Sequence, residues 1–205
     1  SWERLIFFSF TDSNSLLGLP LAIGATMVAA FILFGEILFT TGGGKLFTDF
    51  ALASMGRFRG GPAKVAVVAS SLFGTISGSA VANVAVDGVI TIPMMKRAGY
   101  KPHVAAAIEA VASTGGQIMP PVMGVAAFIM ADMLGVPYAT VAIAALVPAL
   151  LYYLALFVQI DLTAGKEGLE GLPREELPRL GPILRLSWLV LVPLAVLIYT
   201  LFFVY

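Results

Sequence analysis

The sequence predicts an all-α integral membrane protein with one re-entrant helical hairpin and one broken transmembrane helix. Three observations predict it. Apolar residues make up 59% of the 205 and charged residues only 12%, where a soluble domain carries about 25% charged residues. Three apolar runs reach the roughly 20 residues that a membrane span needs. Two further apolar segments are interrupted near their centres by polar, glycine-rich or proline-rich residues. A soluble fold with a mean hydropathy of +0.96 would expose large apolar patches and aggregate.

In chain order, Ser1 to Asp12 does not read as a signal peptide, because no small-residue cleavage site follows the apolar patch. The chain lacks an initiating Met and stops inside an apolar run at Phe202, Phe203, Val204 and Tyr205, so it is expected to be a piece of something longer. Leu16 to Phe39 is the first span, with Glu36 its one charge, and Leu46 to Phe58 is an amphipathic helix expected at the interface. Lys64 to Met95 divides at Thr75-Ile76-Ser77-Gly78-Ser79 into two arms. Each arm is about 14 residues, roughly 21 Å of helix, short of the ~30 Å hydrocarbon core. That shape is a hairpin. His103 to Leu134 is long enough to cross but is interrupted by Ser113-Thr114-Gly115-Gly116 and Pro120-Pro121, with Val122 expected to begin a second half-helix. Proline removes a backbone donor and clashes with the preceding turn. Irregular backbone at membrane depth survives only where it is buried in protein or lines a cavity. Tyr138 to Ile160 is a span without charge, Thr163 to Pro182 a hydrophilic loop, and Leu186 to Tyr205 a last span.

Charge placement supports the hairpin. Lysine and arginine collect in cytoplasmic loops. If Lys64–Met95 enters and leaves on one side, Lys45, Arg57, Arg59, Lys64, Lys96, Arg97 and Lys101 share a face. Lys166, Arg174, Arg179 and Arg185 then join them, leaving Arg4 alone of the twelve basic residues. A single crossing would divide them.

Chemistry is expected where the two interruptions meet. Ser77, Ser79 and Asn83 put hydroxyl and amide oxygens at the hairpin tip, and Thr114 with the carbonyls near Gly115 lies at the helix break. Oxygen donors suit a hard cation such as sodium, so these five residues form the expected metal set. The plain alternative is that they bond to neighbouring backbone. A half-helix N-terminus carries partial positive charge and favours anions, which makes Ser79, Ala80, Asn83, Thr114, Pro120 and Pro121 the expected substrate set. Discontinuous helices meeting at mid-membrane are a transporter arrangement. The Ala66, Ser70, Gly74, Gly78 and Ala82 stripe reads as helix packing, its GxxxG spacing permitting close approach. Asp87 and Glu109 are intramembrane acids, functional candidates by default, though each lies near the basic face. Glu36, Asp132 and His103 read as interfacial.

The run SSLFGTISGSAVANVAVDGVITIPMMKRAGYKPHVAAAIEAVASTGGQIMPPVMG resembles the large membrane subunit of TRAP transporters, the ATP-independent, binding-protein-dependent carriers. ISGSAVANV looks like their hairpin tip and STGGQIMPP like their helix break, with Lys-Arg-Ala-Gly-Tyr between. The AN after SGSAV, together with EAVASTGGQIMPPVMG, is most similar to the subtype whose small and large membrane subunits are fused and which pairs with a TAXI-type binding protein. The resemblance implies an elevator-type inverted-repeat fold, of which this chain is the first repeat. Residues 1–63 are then a scaffold span plus interfacial helix. Residues 64–134 are half of the transport domain, with the hairpin at 64–95 and the broken helix at 103–134. Residues 135–205 are two spans joined by the cytoplasmic loop 163–182. The resemblance also implies sodium as coupling ion with no other cofactor, small organic acids as substrates, and a periplasmic binding protein as partner. The remaining half of the same permease is a further partner, and the setting is the bacterial inner membrane, crossed several times.

Other functions fare less well. An ion channel whose re-entrant loop forms a filter would read similarly. A membrane-embedded enzyme lacks support, since no Ser-His-Asp set, metal cluster or facing aspartates are apparent. Zero formal charge gives no sign of a nucleic-acid partner, and the absence of cysteine excludes thiolate chemistry.

Overall fold

A computed structural model describes residues 1–12, 15, 17–178 and 180–203; Leu16, Arg179, Val204 and Tyr205, named above, lie outside the described residues. Among the described residues there is no strand. In chain order the helices are α1 (Trp2–Thr11), α2 (Leu19–Ile23), α3 (Ala29–Thr40), α4 (Gly43–Met55), α5 (Gly61–Ser77), α6 (Ala80–Arg97), α7 (Pro102–Gly115), α8 (Val125–Leu134), α9 (Tyr138–Glu167), α10 (Leu180–Leu186) and α11 (Trp188–Phe203). A π-helical turn, Gly24–Val28, joins α2 to α3, so Leu19–Thr40 runs as one helix of 22 residues. This helix and α9, of 30 residues, are long and apolar enough to cross a membrane.

α5 is the centre of the molecule. It is small or β-branched along most of its length and is buried from Gly61 to Val67 and again at Ala69, Ser70, Phe73, Gly74 and Ile76. A helix buried all round is the expected form of a core element. On one side Ala63, Ala66 and Val67 pack with Met95, Tyr100, Ala105 and Ala112, and with Tyr153, Leu156, Ile160 and Ala164 of α9. On the other, Phe73 stacks on Phe39 at 4.4 Å and meets Phe47 edge-on at 5.9 Å. The outer faces are apolar instead of charged: Val81, Val89, Ile143, Val147, Leu150 and Leu154 are all exposed.

The expected boundaries shift in several places, the interfacial helix to Gly43–Met55 among them. The hairpin arms run Gly61–Ser77 and Ala80–Arg97, because Gly60 and Pro62 start α5 earlier than Lys64. At 1.5 Å per residue the arms measure about 26 and 27 Å, still under the ~30 Å core. α8 begins at Val125 instead of Val122, since Gly124 is extended and Met123 has a positive φ of 55°. Thr163–Glu167 belongs to α9, and the loop starts at Gly168 with φ +66°. The last apolar run breaks at Ser187, between α10 and α11.

The basic segments gather at one end. The Gly60 N–H donates to the Leu169 carbonyl at 3.1 Å and the Leu172 N–H to the Gly56 carbonyl at 2.8 Å. The Tyr100 hydroxyl donates to the Gly60 carbonyl at 3.4 Å. Burial, reinforced by the Glu167 and Asp161 carboxylates, pushes the Tyr100 phenol up to about 12, so it remains a neutral donor. Asp161 of α9 pairs with Arg59 and, at 2.5 Å, with the buried Lys64, whose ammonium lies 5.0 Å over the Phe157 ring.

Candidate functional site

The hairpin tip is held by its own side chains. Gly78 ends α5 with φ +58°, and its N–H reaches the Gly74 carbonyl at 3.1 Å. Ser79 is extended and caps α6, its hydroxyl accepting from the Ala82 N–H at 3.3 Å. Such a cap satisfies one of the orphan donors of a helix start. The Ser77 hydroxyl accepts from the Ser79 N–H at 3.4 Å. Ser77, Ser79 and Ala80 are half-buried. Asn83 is fully buried; its amide nitrogen donates to the Ser70 carbonyl at 3.0 Å and its Oδ1 has no partner among the described residues.

The break is a compact knot of backbone. α7 ends at Gly115, Gly116–Ile118 forms a 3-10 turn, and the Pro120–Pro121 bond is cis. The Gly124 N–H closes back on the Gln117 carbonyl at 2.7 Å. The carbonyls of the last turn of α7 find partners on α9: Tyr152 donates to Val111 at 2.7 Å and Tyr153 to Ala112 at 3.1 Å. The Tyr138 hydroxyl reaches the Pro121 carbonyl at 3.0 Å and also that of Val122.

Tip and break touch directly. The Val122 N–H donates to the Thr75 carbonyl at 3.3 Å. A Cβ added to Gly74 would lie 2.3 Å from the Gly116 Cα, and one on Gly78 would lie 1.7 Å from the Met123 carbonyl oxygen. Only glycine permits such backbone contact. Of the expected site residues, the structure brings Ser77, Ser79, Ala80 and Asn83 of the hairpin toward the break at Pro121–Met123. Thr114 and Gly115 point elsewhere. The Thr114 side chain is exposed and donates to the Ala110 carbonyl at 2.7 Å, and a Cβ on Gly115 would meet Tyr152 at 2.6 Å. The break residue that meets the hairpin is Gly116, 3.4 Å from the Asn83 amide nitrogen by the same construction. Pro120 is half-buried and Pro121 buried.

Where α5, α6 and α7 pack together lie Ser70 of α5, Asp87 and Thr91 of α6, and Glu109 and Ser113 of α7, none of them exposed at all. Glu109 Oε2 lies 2.5 Å from Thr91 Oγ1, and Glu109 Oε1 accepts from the Ser113 hydroxyl at 3.2 Å. Asp87 Oδ1 faces the Thr48 hydroxyl at 3.3 Å, while Asp87 Oδ2 and Ser70 Oγ have no partner among the described residues.

Residues 18–205 match the family described as Tripartite ATP-independent periplasmic transporter, DctM component. The chain belongs to this family. It is 35% identical over 170 residues to the C4-dicarboxylate TRAP transporter large permease protein DctM of Pseudomonas aeruginosa, covering 83% of this chain and 37% of that protein. It is 32% identical over 175 residues to the Vibrio cholerae protein of the same name, covering 85% and 36%. It is 30% identical over 196 residues to the sialic acid TRAP transporter permease protein SiaT of Haemophilus influenzae, covering 95% and 30%. The chain thus spans well under half the length of these relatives. It is an integral membrane protein of a transporter permease family, and these relatives are transporters instead of enzymes.

Within this DctM-family chain, sequence reasoning left Tyr138, Thr48 and Thr91 without a role and named Gly116 at the break without placing it in the site sets. Gly116 carried a signal, as the second glycine of the pair at the break. The others could not be found from periodicity, which sees one helix at a time and not the neighbour that a hydroxyl meets.

Proposed function

We propose that this chain is the first repeat of the membrane permease of a sodium-coupled secondary transporter. In this reading it is a multi-pass protein of the bacterial inner membrane, with an elevator-type inverted-repeat fold and α5–α6 as a re-entrant hairpin. It belongs to the fused-subunit type, takes small carboxylates from a periplasmic TAXI-type binding protein, and works with the remaining half of the same permease. The observation that supports this reading best is the direct contact of the hairpin tip with the break, through Thr75–Val122 and Gly74–Gly116. It collects oxygen-rich irregular backbone inside an apolar helical body, where such backbone persists when buried in protein or lining a cavity, and discontinuous helices that meet in this way hold substrate and ion sites in transporters. The buried, unpartnered Asn83 Oδ1 is the oxygen best suited to a cation there. Ser77 and Ser79 keep lone pairs beyond their capping bonds, and Thr114 and Gly115 join the set through backbone carbonyls instead of side chains.

The test is uptake by the full-length permease with its binding protein in proteoliposomes, using a panel of small carboxylates and their neutral amides, with sodium titrated at several substrate levels. Losing one charge-assisted contact, about 1.5–3 kcal/mol, should raise the sodium half-saturation of Asn83→Ala roughly tenfold or more. Substrate affinity should weaken with it, because coupling between two ligands is reciprocal. The acids should be taken up and the amides should compete poorly. An unchanged sodium half-saturation in both Asn83→Ala and Ser79→Ala would leave the tip a packing device. Failure of preloaded substrate to exchange would point to a pore.

A further inference from the structure

We infer that Asp87 and Glu109 form a proton-binding site, separate from the tip, in which both carboxyls are held as neutral acids. The inference comes from counting hydrogens. A threonine hydroxyl has one proton to donate, and a backbone carbonyl can only accept. Thr91 Oγ1 lies 3.0 Å from the Asp87 carbonyl oxygen and 2.5 Å from Glu109 Oε2. If its proton goes to the carbonyl, the short contact to Glu109 needs a proton on the carboxyl. Asp87 repeats the arrangement on its other side. Thr48 Oγ1 lies 3.1 Å from the Gly44 carbonyl and 3.3 Å from Asp87 Oδ1. One proton on each acid lets every one of these contacts have a donor and an acceptor.

Among the described residues no cation neutralises the pair. Both acids are fully buried, and an unpaired ionised carboxylate in such a place is strongly disfavoured. Every charged group on the elements packed around the pair is engaged elsewhere or set apart. Lys64 on α5 pairs with Asp161 of α9. Lys96 and Arg97 on α6 and His103 on α7 are exposed at the basic ends of their helices. Lys45 and Asp49 of α4 line a cavity of about 470 Å³ together with Thr48 and Asp87, and neither is in an ion pair with Asp87 among the described residues. Two further oxygens are buried without a partner. They are Ser70 Oγ and Asp87 Oδ2, and a neutral carboxyl with its proton on Oδ1 leaves at Oδ2 an uncharged carbonyl oxygen, which costs less to bury than a carboxylate oxygen. The cavity beside Lys45 and Asp49 borders Asp87 and would be the path for a proton to reach it. The acids bridge three elements, Asp87 lying against α4 and Glu109 between α6 and α7, so their protonation state bears on whether the hairpin packs closely against both neighbours.

The experiment is infrared difference spectroscopy of the full-length permease reconstituted in lipid, with pH stepped at constant sodium. The wild type should show the C=O stretch of protonated carboxyls at neutral pH. Asp87→Asn and Glu109→Gln should each remove part of that band, and the double variant all of it. Thr91→Val keeps both acids and should shift the Glu109 contribution without deleting it, so the assignment stands or falls even where an acid variant does not fold. A wild type without the band at neutral pH, or a band untouched by all of these changes, overturns the inference. So does a band that disappears on adding sodium at constant pH, since the pair would then hold sodium in place of protons. None of these outcomes depends on the sodium titration of Asn83→Ala, so the two proposals fail separately.

Discussion

At Gly74 the chain has no room for a single methyl group, since the Gly116 Cα would lie 2.3 Å from it. The GxxxG spacing of Gly74 and Gly78 was legible as a device for close approach, but not its partners, the backbone of Gly116 and the carbonyl of Met123. Those come from a segment about 40 residues away in sequence, and no local pattern announces them. Gly74→Ala is expected to destabilise the permease by about 1–3 kcal/mol, the usual cost of overpacking a close contact. It should also lower the yield of monodisperse protein in detergent. Gly24→Ala is the control, because a Cβ there meets nothing within 4 Å, and its melting temperature should equal that of the wild type. Equal melting temperatures for both variants would mean that tip and break are not in contact. Asn83 was legible as a polar residue near the bend, whereas its hold on the Ser70 carbonyl was not, since it depends on which face of α6 turns toward α5.

At the scale of elements, the helix break stands where Gly115-Gly116 and Pro120-Pro121 placed it, while the restart of the helix was misjudged by three residues. The second half-helix was expected to begin at Val122, directly after the two prolines. The structure gives the Val122 N–H to Thr75 instead, and the carbonyls of Pro121 and Val122 turn to Tyr138. One phenol from α9, stacked against Phe128 at 4.2 Å, therefore places a single donor within reach of two carbonyls of the irregular segment. Tyr138→Phe keeps the ring and removes the hydroxyl, leaving those carbonyls without that donor. The expected loss is about 1–3 kcal/mol, the cost of an unsatisfied buried polar group. It is read as a lower melting temperature, together with faster cleavage of the 119–124 segment by added protease. A variant as stable and as protease-resistant as the wild type would show that water reaches these carbonyls and that the segment is not sealed.

Over the whole molecule, the one-sided distribution of lysine and arginine was the strongest topological signal in the sequence, and the structure gives it a physical frame. The turn before α5, the turn after α6 and the segment after α9 are tied together by Gly60–Leu169, Gly56–Leu172 and Tyr100–Gly60 bonds. Arg57, Arg97 and Lys166 therefore belong to one end of the bundle and should face one aqueous compartment, the cytoplasm. Met133, 73% exposed near the end of α8, lies beyond the break and should face the other. The chain contains no cysteine, so single cysteines in its place can be read cleanly once any in the rest of the permease are removed. Gly61 is a poor site for one, as its Cβ would lie 2.1 Å from the Gly56 carbonyl oxygen; the exposed arginines are better. In intact cells an impermeant thiol reagent should label Met133→Cys and spare Arg57→Cys, Arg97→Cys and Lys166→Cys, and in inside-out vesicles the pattern should invert. Labelling that separates Arg57→Cys from Arg97→Cys would make α5 and α6 a crossing instead of a hairpin. Neither arm reaches the ~30 Å of the hydrocarbon core by itself, so such a crossing would need the Gly78-Ser79 bend to straighten, and with it the contact between Gly74 and Gly116 would be lost.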